Sequence, residues 1–330
     1  MLDLPNPPQL NAAFAAASPV RPPLQVVLAA PRGFCAGVRR AIDAVEDALR
    51  IHGAPVYVRR AIVHNMNVVR SLEAKGAVFV EELEAVPEGA VAILSAHGVA
   101  RSVAAEAAQR QLLAIDAVCP LVAKVHREVV RHHRAGRWVV LIGHRGHPEI
   151  VGTLGQLPHG AIHLVATAAD VAELPIPENA PVAYAVQTTF SVDEAHAVVT
   201  ALEARFVDLA APPASDICYA TSNRQAALKA IATQVDAVIV AGESFSSNAT
   251  RLAELARAMG CPSVQLVASA DQIDWARLDG RRRVGLTAAA STPETVVSAI
   301  LDALGARFRV TAREAEAMRE TMVFKPVKVA

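Results

Sequence analysis

The sequence contains few aromatic residues and no excess of charge of either sign. Phe, Trp and Tyr make up only 4% of the 330 residues, so a core must be built mainly from Ala, Val, Leu and Ile. Lys and Arg number 32, and Asp and Glu also number 32. This balance argues against a nucleic-acid partner or an anionic membrane partner, although a local basic pocket is compatible with it.

Long apolar segments and leader peptides are also lacking. No apolar run approaches the ~20 residues that cross a bilayer. The first 23 residues are rich in Ala and Pro and contain one basic residue, Arg21, whereas a secretory signal begins with positive charge and a transit peptide has more arginine. We therefore expect a disordered extension over residues 1–23 and a cytoplasmic protein with no membrane partner.

The familiar nucleotide and metalloprotease motifs are absent from the sequence. It has no Walker loop, no GxGxxG and no HExxH. Because no flavin or nicotinamide site is indicated, any electrons that the protein uses would come from another protein.

Apolar runs alternate with amphipathic stretches along most of the chain. The strand candidates are Leu24–Ala29, Pro55–Val58, Val91–Leu94, Trp138–Ile142, Val182–Val186, Ala237–Ala241, Ser263–Val267 and Arg283–Thr287. Helix candidates between them include Val122–Arg134, Gln225–Gln234 and Ala249–Met259. Such alternation predicts an α/β fold with mostly parallel sheets, which bind ligands beyond the carboxyl ends of their strands.

The chain divides into three units of similar size, and one unusual residue type marks each of them. We predict α/β units over residues 24–117, 118–216 and 217–304, followed by a C-terminal tail over 305–330. Cys35 lies in the first unit, Cys119 in the second and Cys218 in the third.

These three cysteines occupy equivalent places, because each ends an apolar run and begins a helix-like one. No pair forms a local CxxC motif. Three thiols at matching positions can converge on one point, which suggests an iron–sulfur cluster with one iron left free for chemistry. The alternatives are unrelated buried thiols, or zinc, which usually takes four ligands at short spacings. Cys261 instead follows a helix and precedes a strand, so we expect a buried structural thiol at the far edge of its sheet.

Polar residues near the predicted strand ends indicate an anion site. Histidines occur in VHN at His64, SAHGV at His97 and GHRGHPE at His147, and imidazoles can donate to phosphate oxygens. Two helix starts lie beyond strands and carry hydroxyl or amide side chains. These side chains are Ser246, Ser247 and Asn248 at one start and Ser291 at the other. Ordinary N-capping explains one such start, but two favour a phosphate or diphosphate ligand.

Two further residues are candidates for moving protons. Glu149 lies two residues after His147 in a glycine-flanked loop, and a suitably perturbed carboxyl there could act as an acid. Thr188 follows the Val182–Val186 run and could relay a proton. From the residues alone, an ordinary helix-start glutamate and an ordinary turn threonine are the favoured interpretations.

The ordered set of motifs resembles one known family. The chain contains, in order, PRGFCAGVRRAI, VHN, SAHGV, DAVCPLVAKVH, GHRGHPE, QTT, DICYATSNRQ and SSNATRLAEL, followed by a stretch ending at Ser291. Over Leu24 to Leu304 this set is similar to the LytB family of 4-hydroxy-3-methylbut-2-enyl diphosphate reductases. The resemblance implies a trefoil of three α/β units, each of which lends one cysteine to a central [4Fe–4S] cluster.

The resemblance also implies a reaction and a role for each candidate residue. An allylic diphosphate would lose its hydroxyl reductively and give isopentenyl diphosphate and dimethylallyl diphosphate, the last step of the non-mevalonate isoprenoid pathway. A ferredoxin-type or flavodoxin-type protein would supply the electrons. Glu149 would be the proton donor, with the Thr188 hydroxyl near the substrate's own hydroxyl. The cluster ligands would be Cys35, Cys119 and Cys218, and the substrate shell would comprise His64, His97, His147, Ser246, Ser247, Asn248 and Ser291.

Two positions depart from the family pattern, and two other functions stay open. Ala289 stands where the family commonly has glycine, and Phe245 stands where a polar residue is expected. A non-enzymatic iron–sulfur sensor would not need the helix starts at Ser246 and Ser291. A zinc-containing diphosphate hydrolase would want a fourth protein ligand beside the three cysteines.

Overall fold

The computed structural model describes residues 21–330, which form an α/β protein with three parallel sheets. The strands are β1 (Pro23–Ala30), β2 (Val56–Arg59), β3 (Ala77–Val80), β4 (Val91–Leu94), β5 (Leu113–Asp116), β6 (Trp138–Ile142), β7 (Ile162–Val165), β8 (Val182–Val186), β9 (Leu209–Ala210), β10 (Ala237–Ala241), β11 (Val264–Val267), β12 (Arg283–Ala288) and β13 (Arg309–Glu316). The helices are α1 (Ala36–His52), α2 (Met66–Glu73), α3 (Arg101–Gln109), α4 (Pro120–Arg134), α5 (Pro148–Leu154), α6 (Ala168–Ala172), α7 (Val192–Arg205), α8 (Tyr219–Ala232), α9 (Ser247–Ala258) and α10 (Glu294–Arg307).

Each sheet takes its strands mostly from one stretch of the chain. The strand orders are β3-β2-β4-β5, β7-β6-β8-β9 and β11-β10-β12-β1-β13. All strand pairs in these sheets are parallel. The predicted α/β class with small parallel sheets is therefore confirmed.

The sheet pairing departs from the predicted unit boundaries at both ends of the described chain. Strand β1, assigned to the unit over 24–117, pairs with β12 and β13 in the five-stranded sheet. The predicted tail over 305–330 contains β13, which completes that sheet. The cause is the burial of β1, because an apolar strand that is shielded on both faces needs a neighbour along each edge. Of the disordered extension expected over residues 1–23, residues 1–20 lie outside the described part of the chain. Pro23 already belongs to strand β1.

The cores are aliphatic, as the composition requires. The cluster around β10 and β12 consists of Ala, Val, Leu and Ile side chains, including Ile239, Leu286 and Ile300, all 0% exposed. Phe190 is a fully buried aromatic side chain, in the core beside β8. None of the helices described between residues 21 and 330 is long and apolar enough to cross a membrane.

The last residues of the chain have no regular structure but are held against two helices. His52 on α1 is hydrogen-bonded through Nε2 to the carbonyl of Val329 at 2.8 Å. Arg224 on α8 is fully buried, and its Nη1 lies 2.8 Å from the Glu320 carboxylate. This segment brings Phe324 to the wall of the cavity described next.

Candidate active site at the carboxyl ends of the strands

Each of the three candidate cysteines is the N-cap residue of a helix. Cys35 caps α1 and accepts a hydrogen bond from the Val38 N–H at 3.4 Å. Cys218 caps α8 and accepts one from the Thr221 N–H at 3.3 Å. Cys119 stands at the same place before α4. The partial positive charge at a helix N-terminus favours the thiolate form of a cysteine, which is the form that binds metals.

The three sulfur-bearing residues line one cavity of about 110 Å³. A Cβ atom added to Gly37 would lie 2.9 Å from the Cys119 Sγ and 3.7 Å from the Cys35 Sγ. Glycine therefore keeps open the space that these two sulfurs border. The structure therefore brings Cys35, Cys119 and Cys218, which are far apart in sequence, to the wall of one cavity.

Two of the three thiols are buried enough to have strongly perturbed pKa values. Burial raises the pKa of Cys119 to about 12 and that of Cys218 to about 11, and the neighbouring cysteines add to both shifts. Without a positive charge these thiols stay protonated, and a bound metal would convert them to thiolates. Over residues 21–330, no group of three or more His, Cys, Asp or Glu side chains is arranged to hold a metal ion. The three thiols share a cavity wall, and this is what the structure shows of their arrangement.

Cys261 lies away from this cavity, between α9 and β11. It is half-buried, and its thiol donates to the Ser263 carbonyl at 3.4 Å. This position at the amino end of β11 is the one that the sequence predicted.

All the other predicted site residues line the same cavity. They are His64, His97, His147, Glu149, Thr188, Ser246, Ser247, Asn248 and Ser291. The cause is topological, since the loops that carry them begin at or near the carboxyl ends of parallel strands.

The three histidines form a compact cluster. The ring centroid of His64 is 4.2 Å from that of His97 and 5.6 Å from that of His147. Burial lowers the pKa of all three histidines. Repulsion from neighbouring histidines adds to the shift for two of them, so the pKa of His147 falls to about 3 and that of His97 well below its ordinary value. A bound anion would reverse this effect, because it stabilises the imidazolium form.

The hydrogen bonds of two histidines identify the ring nitrogens that carry protons. His147 accepts the Glu149 N–H at Nδ1, 3.2 Å away, so its neutral ring carries hydrogen on Nε2 and can donate from there. His64 Nδ1 lies 3.0 Å from the Phe245 carbonyl, which can only accept. Neutral His64 therefore has no hydrogen on Nε2 and must take up a proton before it can donate a second bond.

The start of α9 provides donors for an anion. Ser246 caps the helix by accepting from the Ala249 N–H at 3.4 Å. Asn248 accepts the Ala290 N–H on Oδ1 at 2.9 Å, while its buried Nδ2 has no hydrogen-bond partner within residues 21–330. A buried amide donor without a partner is costly, and an oxygen-rich ligand in the cavity would satisfy it.

Ser291 serves a different structural purpose from the one expected. The helix predicted to start beside it, α10, begins only at Glu294, and Pro293 occupies the N-cap position. The Ser291 hydroxyl instead donates to the His64 carbonyl at 3.0 Å. Ser291 thereby ties the loop after β12 to the loop that carries the histidine.

Glu149 and Thr188 form a buried pair between α5 and the end of β8. The Thr188 N–H donates to Glu149 Oε1 at 2.7 Å, and its hydroxyl donates to Oε2 at 2.8 Å. Burial raises the pKa of Glu149 to about 7, although both hydrogen bonds oppose the rise. The Thr188 carbonyl also accepts the Cys218 N–H at 2.9 Å, which fixes the pair beside a candidate metal ligand.

The structure adds cavity residues that the sequence reasoning missed. Thr189 lines the cavity, and the signal for it was the second threonine of the QTT motif. Phe324 also lines it, but no pattern marked this residue because it reaches the site only through the path of the last segment. Of the two departures from the family pattern, Ala289 packs its methyl group near Gly242 and Phe245 is 49% exposed near His64.

The profile of the LytB protein family matches residues 26–305. This chain belongs to the LytB family. It is 53% identical to the 4-hydroxy-3-methylbut-2-enyl diphosphate reductase of Paracoccus denitrificans, over 94% of this chain and 98% of that protein. It is 54% identical to the protein of the same name from Phenylobacterium zucineum, over 93% and 98%.

Solved structures of LytB relatives share the fold. The E-1-hydroxy-2-methyl-but-2-enyl-4-diphosphate reductase of Plasmodium falciparum superposes with a TM-score of 0.88 at 37% identity, over 93% of this chain and 96% of that one. A second structure, of an (E)-4-hydroxy-3-methyl-but-2-enyl diphosphate reductase described as the terminal enzyme of the non-mevalonate pathway, gives 0.62 at 31% identity, over 86% and 99%.

Proposed function

We propose that this chain is a reductase that converts (E)-4-hydroxy-3-methylbut-2-enyl diphosphate into isopentenyl diphosphate and dimethylallyl diphosphate, the last step of the non-mevalonate pathway. The observation that carries this proposal is the set of residues that share a cavity with Glu149. A buried carboxyl with a pKa of about 7 lines the same cavity as three thiols and a set of anion donors. A proton source, a metal ligand set and a diphosphate site in one cavity are what a reductive dehydroxylation requires.

The donor set fits a [4Fe–4S] cluster held by Cys35, Cys119 and Cys218. Thiols are the usual ligands of such clusters, and three of them leave one iron free. Support for this comes from Gly37, because the Cys119 and Cys35 sulfurs both border the space that its missing side chain leaves open. When bound, the cluster supplies two electrons one at a time and a Lewis-acid position for the substrate oxygen.

The anion donors hold the diphosphate and so orient the carbon chain. The start of α9 offers backbone N–H groups and the free Nδ2 of Asn248, and the histidine cluster offers Nε2 of His147. Fixing the diphosphate end would direct the substrate hydroxyl toward the thiols that line the same cavity. This positioning lowers the entropic part of the barrier.

The geometry of the Glu149–Thr188 pair supports a path for the proton. Because Glu149 Oε1 accepts the Thr188 N–H, the acidic proton of the neutral carboxyl belongs on Oε2. The Thr188 hydroxyl donates to Oε2 of the ionised carboxylate, and it would turn to accept from Oε2–H of the neutral acid. That hydroxyl can pass the proton onward to the substrate oxygen. The C–O bond then breaks and water leaves, while two electrons and a second proton complete the new C–H bond.

The proposed electron source is a ferredoxin-type or flavodoxin-type protein, since none of the described residues suggests a nicotinamide or flavin site. We further propose a cytoplasmic setting, because thiol ligands need a reducing compartment.

An anaerobic assay tests the function directly. Purified protein with iron and sulfide restored should be brown, and with a chemical reductant it should convert the allylic diphosphate to the two isomeric products. Release of inorganic phosphate from a colourless, zinc-containing protein would instead support a hydrolase. A brown protein that binds no diphosphate would support a sensor.

A further inference from the structure

A chain of hydrogen bonds joins the end of β8 to the start of α9 and involves two residues to which no role has been given. Gln187 is 0% exposed, and its Nε2 donates to the Thr189 Oγ1 at 2.8 Å. The Thr189 hydroxyl in turn donates to the Ser247 Oγ at 3.2 Å. The chain therefore links the sheet that carries Thr188 with the helix start that faces the cavity.

A backbone group fixes which atoms donate and which accept in this series of hydrogen bonds. The His144 N–H, which can only donate, lies 2.9 Å from Gln187 Oε1. The amide nitrogen of Gln187 must therefore face Thr189, and an NH₂ group can only donate. Thr189 Oγ1 thus accepts from Gln187, so its single hydrogen is free for Ser247.

These donor and acceptor assignments leave the Ser247 hydroxyl free to donate. Since Ser247 Oγ accepts from Thr189, its own hydrogen must point elsewhere, and the residue lines the cavity. Within residues 21–330, the hydrogen bond of the Ser247 side chain is the one that it accepts from Thr189. The free hydrogen is therefore available to a ligand.

We propose that Gln187 and Thr189 are positioning residues that set the Ser247 hydroxyl as a donor into the cavity. Oxygens of a diphosphate group are acceptors, so this polarity favours the diphosphate end of the substrate. Successive hydrogen bonds also polarise one another, which strengthens the last donor. The inference rests on the proposed function, because it concerns how the same site recognises the diphosphate.

Replacing the Thr189 hydroxyl tests the inference with little risk to the fold. Thr189→Val preserves the shape of a half-buried side chain but removes both hydrogen bonds. The affinity of the anaerobic holoenzyme for inorganic diphosphate, measured by calorimetry, should fall about tenfold, the effect of losing one oriented hydrogen bond to a charged group. Thr189→Ser keeps the hydroxyl and should restore most of the affinity. The substrate KM should rise while kcat changes little, because the diphosphate is held equally in the ground and transition states.

A double-mutant cycle separates action through Ser247 from a general loosening. Ser247→Ala should weaken diphosphate binding, and adding Thr189→Val to it should cause no further loss. If the two losses add, Thr189 does not act through Ser247 and the inference fails. Thr250→Val is the matched control, because it removes a hydroxyl that donates to the Ser244 carbonyl at 3.0 Å on the same helix without touching the chain.

The outcomes distinguish this inference from the proposed function. If wild-type holoenzyme binds no diphosphate, the proposed function loses its anion site. If the wild type binds and Thr189→Val binds equally well, the positioning role is refuted while the function stands. The visible absorption of the cluster, unchanged in both variants, shows that any loss of affinity is local.

Discussion

Replacement of Glu149 by Gln is the perturbation that most directly tests the chemistry. The amide has nearly the shape of the carboxyl and can still accept the Thr188 N–H, but it has no acidic proton to give. Turnover in Glu149→Gln should fall by about 100-fold or more, the usual contribution of a general acid. Iron content and diphosphate affinity should be those of the wild type, because Glu149 contacts neither the cysteines nor the start of α9 through its hydrogen bonds.

Because Glu149 is buried, the same variant should also change the free energy of unfolding, by an amount that follows from the pKa shift. The shift of its pKa from 4.5 to about 7 corresponds to about 3 kcal/mol of differential stabilisation of the neutral form. The unfolded chain ionises this carboxyl at the lower pKa, so the wild type loses stability as pH rises from 4.5 to about 7 and is constant above that. Glu149→Gln does not lose this stability, because its amide does not ionise. The variant should gain up to about 3 kcal/mol relative to wild type at pH 8 and little at pH 4.5.

Two measurements check both effects. Anaerobic turnover of the wild type, measured across pH, should decline as Glu149 ionises near pH 7, since only the neutral acid carries the proton. Denaturant unfolding of the wild type and Glu149→Gln at pH 5 and pH 8 gives the stability difference. Thr153→Val is a suitable control, because it alters a buried polar group on α5 without a titrating proton. Wild-type turnover in Glu149→Gln, or a stability difference independent of pH, would refute the reasoning.

Three further predictions concern the ligands and the anion donors. Cys119→Ser should lower iron content markedly in an anaerobic preparation, whereas Cys261→Ser should leave it unchanged; equal loss would mean that the wrong trio was chosen. Gly37→Ala should also lower iron content, because its methyl group would lie 2.9 Å from the Cys119 Sγ; a full cluster in that variant would contradict the geometry. Diphosphate binding should take up a proton at His64, so affinity should fall as pH rises. Calorimetry in buffers of different ionisation enthalpy should show less proton uptake in His64→Gln than in wild type, and equal uptake would contradict this role.

Most of the site could be predicted because its residues follow apolar strands. Where a buried run such as Val182–Val186 ends, the polar residues that follow lie at the carboxyl edge of the sheet, and Thr188 lines the cavity there. The same logic placed Cys261 at the opposite edge. The residue types alone suggested thiol ligands, but they favoured an ordinary helix-start glutamate at Glu149. Its candidate role came from the family resemblance, because the burial that raises its pKa is not visible in the sequence.

Other features depend on contacts that no local pattern encodes. Strands β5 and β3 lie at the edges of one sheet and are partly exposed, so their apolar signal is weak. The path that brings Phe324 to the cavity depends on a buried ion pair between Arg224 and Glu320, far apart in sequence. The direction of the hydrogen bonds at Thr189 depends on a backbone N–H from another loop, which only coordinates reveal.

The place of β1 in the five-stranded sheet has a consequence for how the protein is made. β1 lies between β12 and β13, so its two neighbours leave the ribosome only after nearly all of the chain has been synthesised. The Cys35 loop joins β1 to α1. Helix α1 packs against β2 and β4 of its own part of the chain, but the β1 side of this loop is fixed only when β12 and β13 are present. The first of the three thiols to be translated is thus the one whose loop is completed last, and we expect a metal centre to be loaded after β12 and β13 have been made.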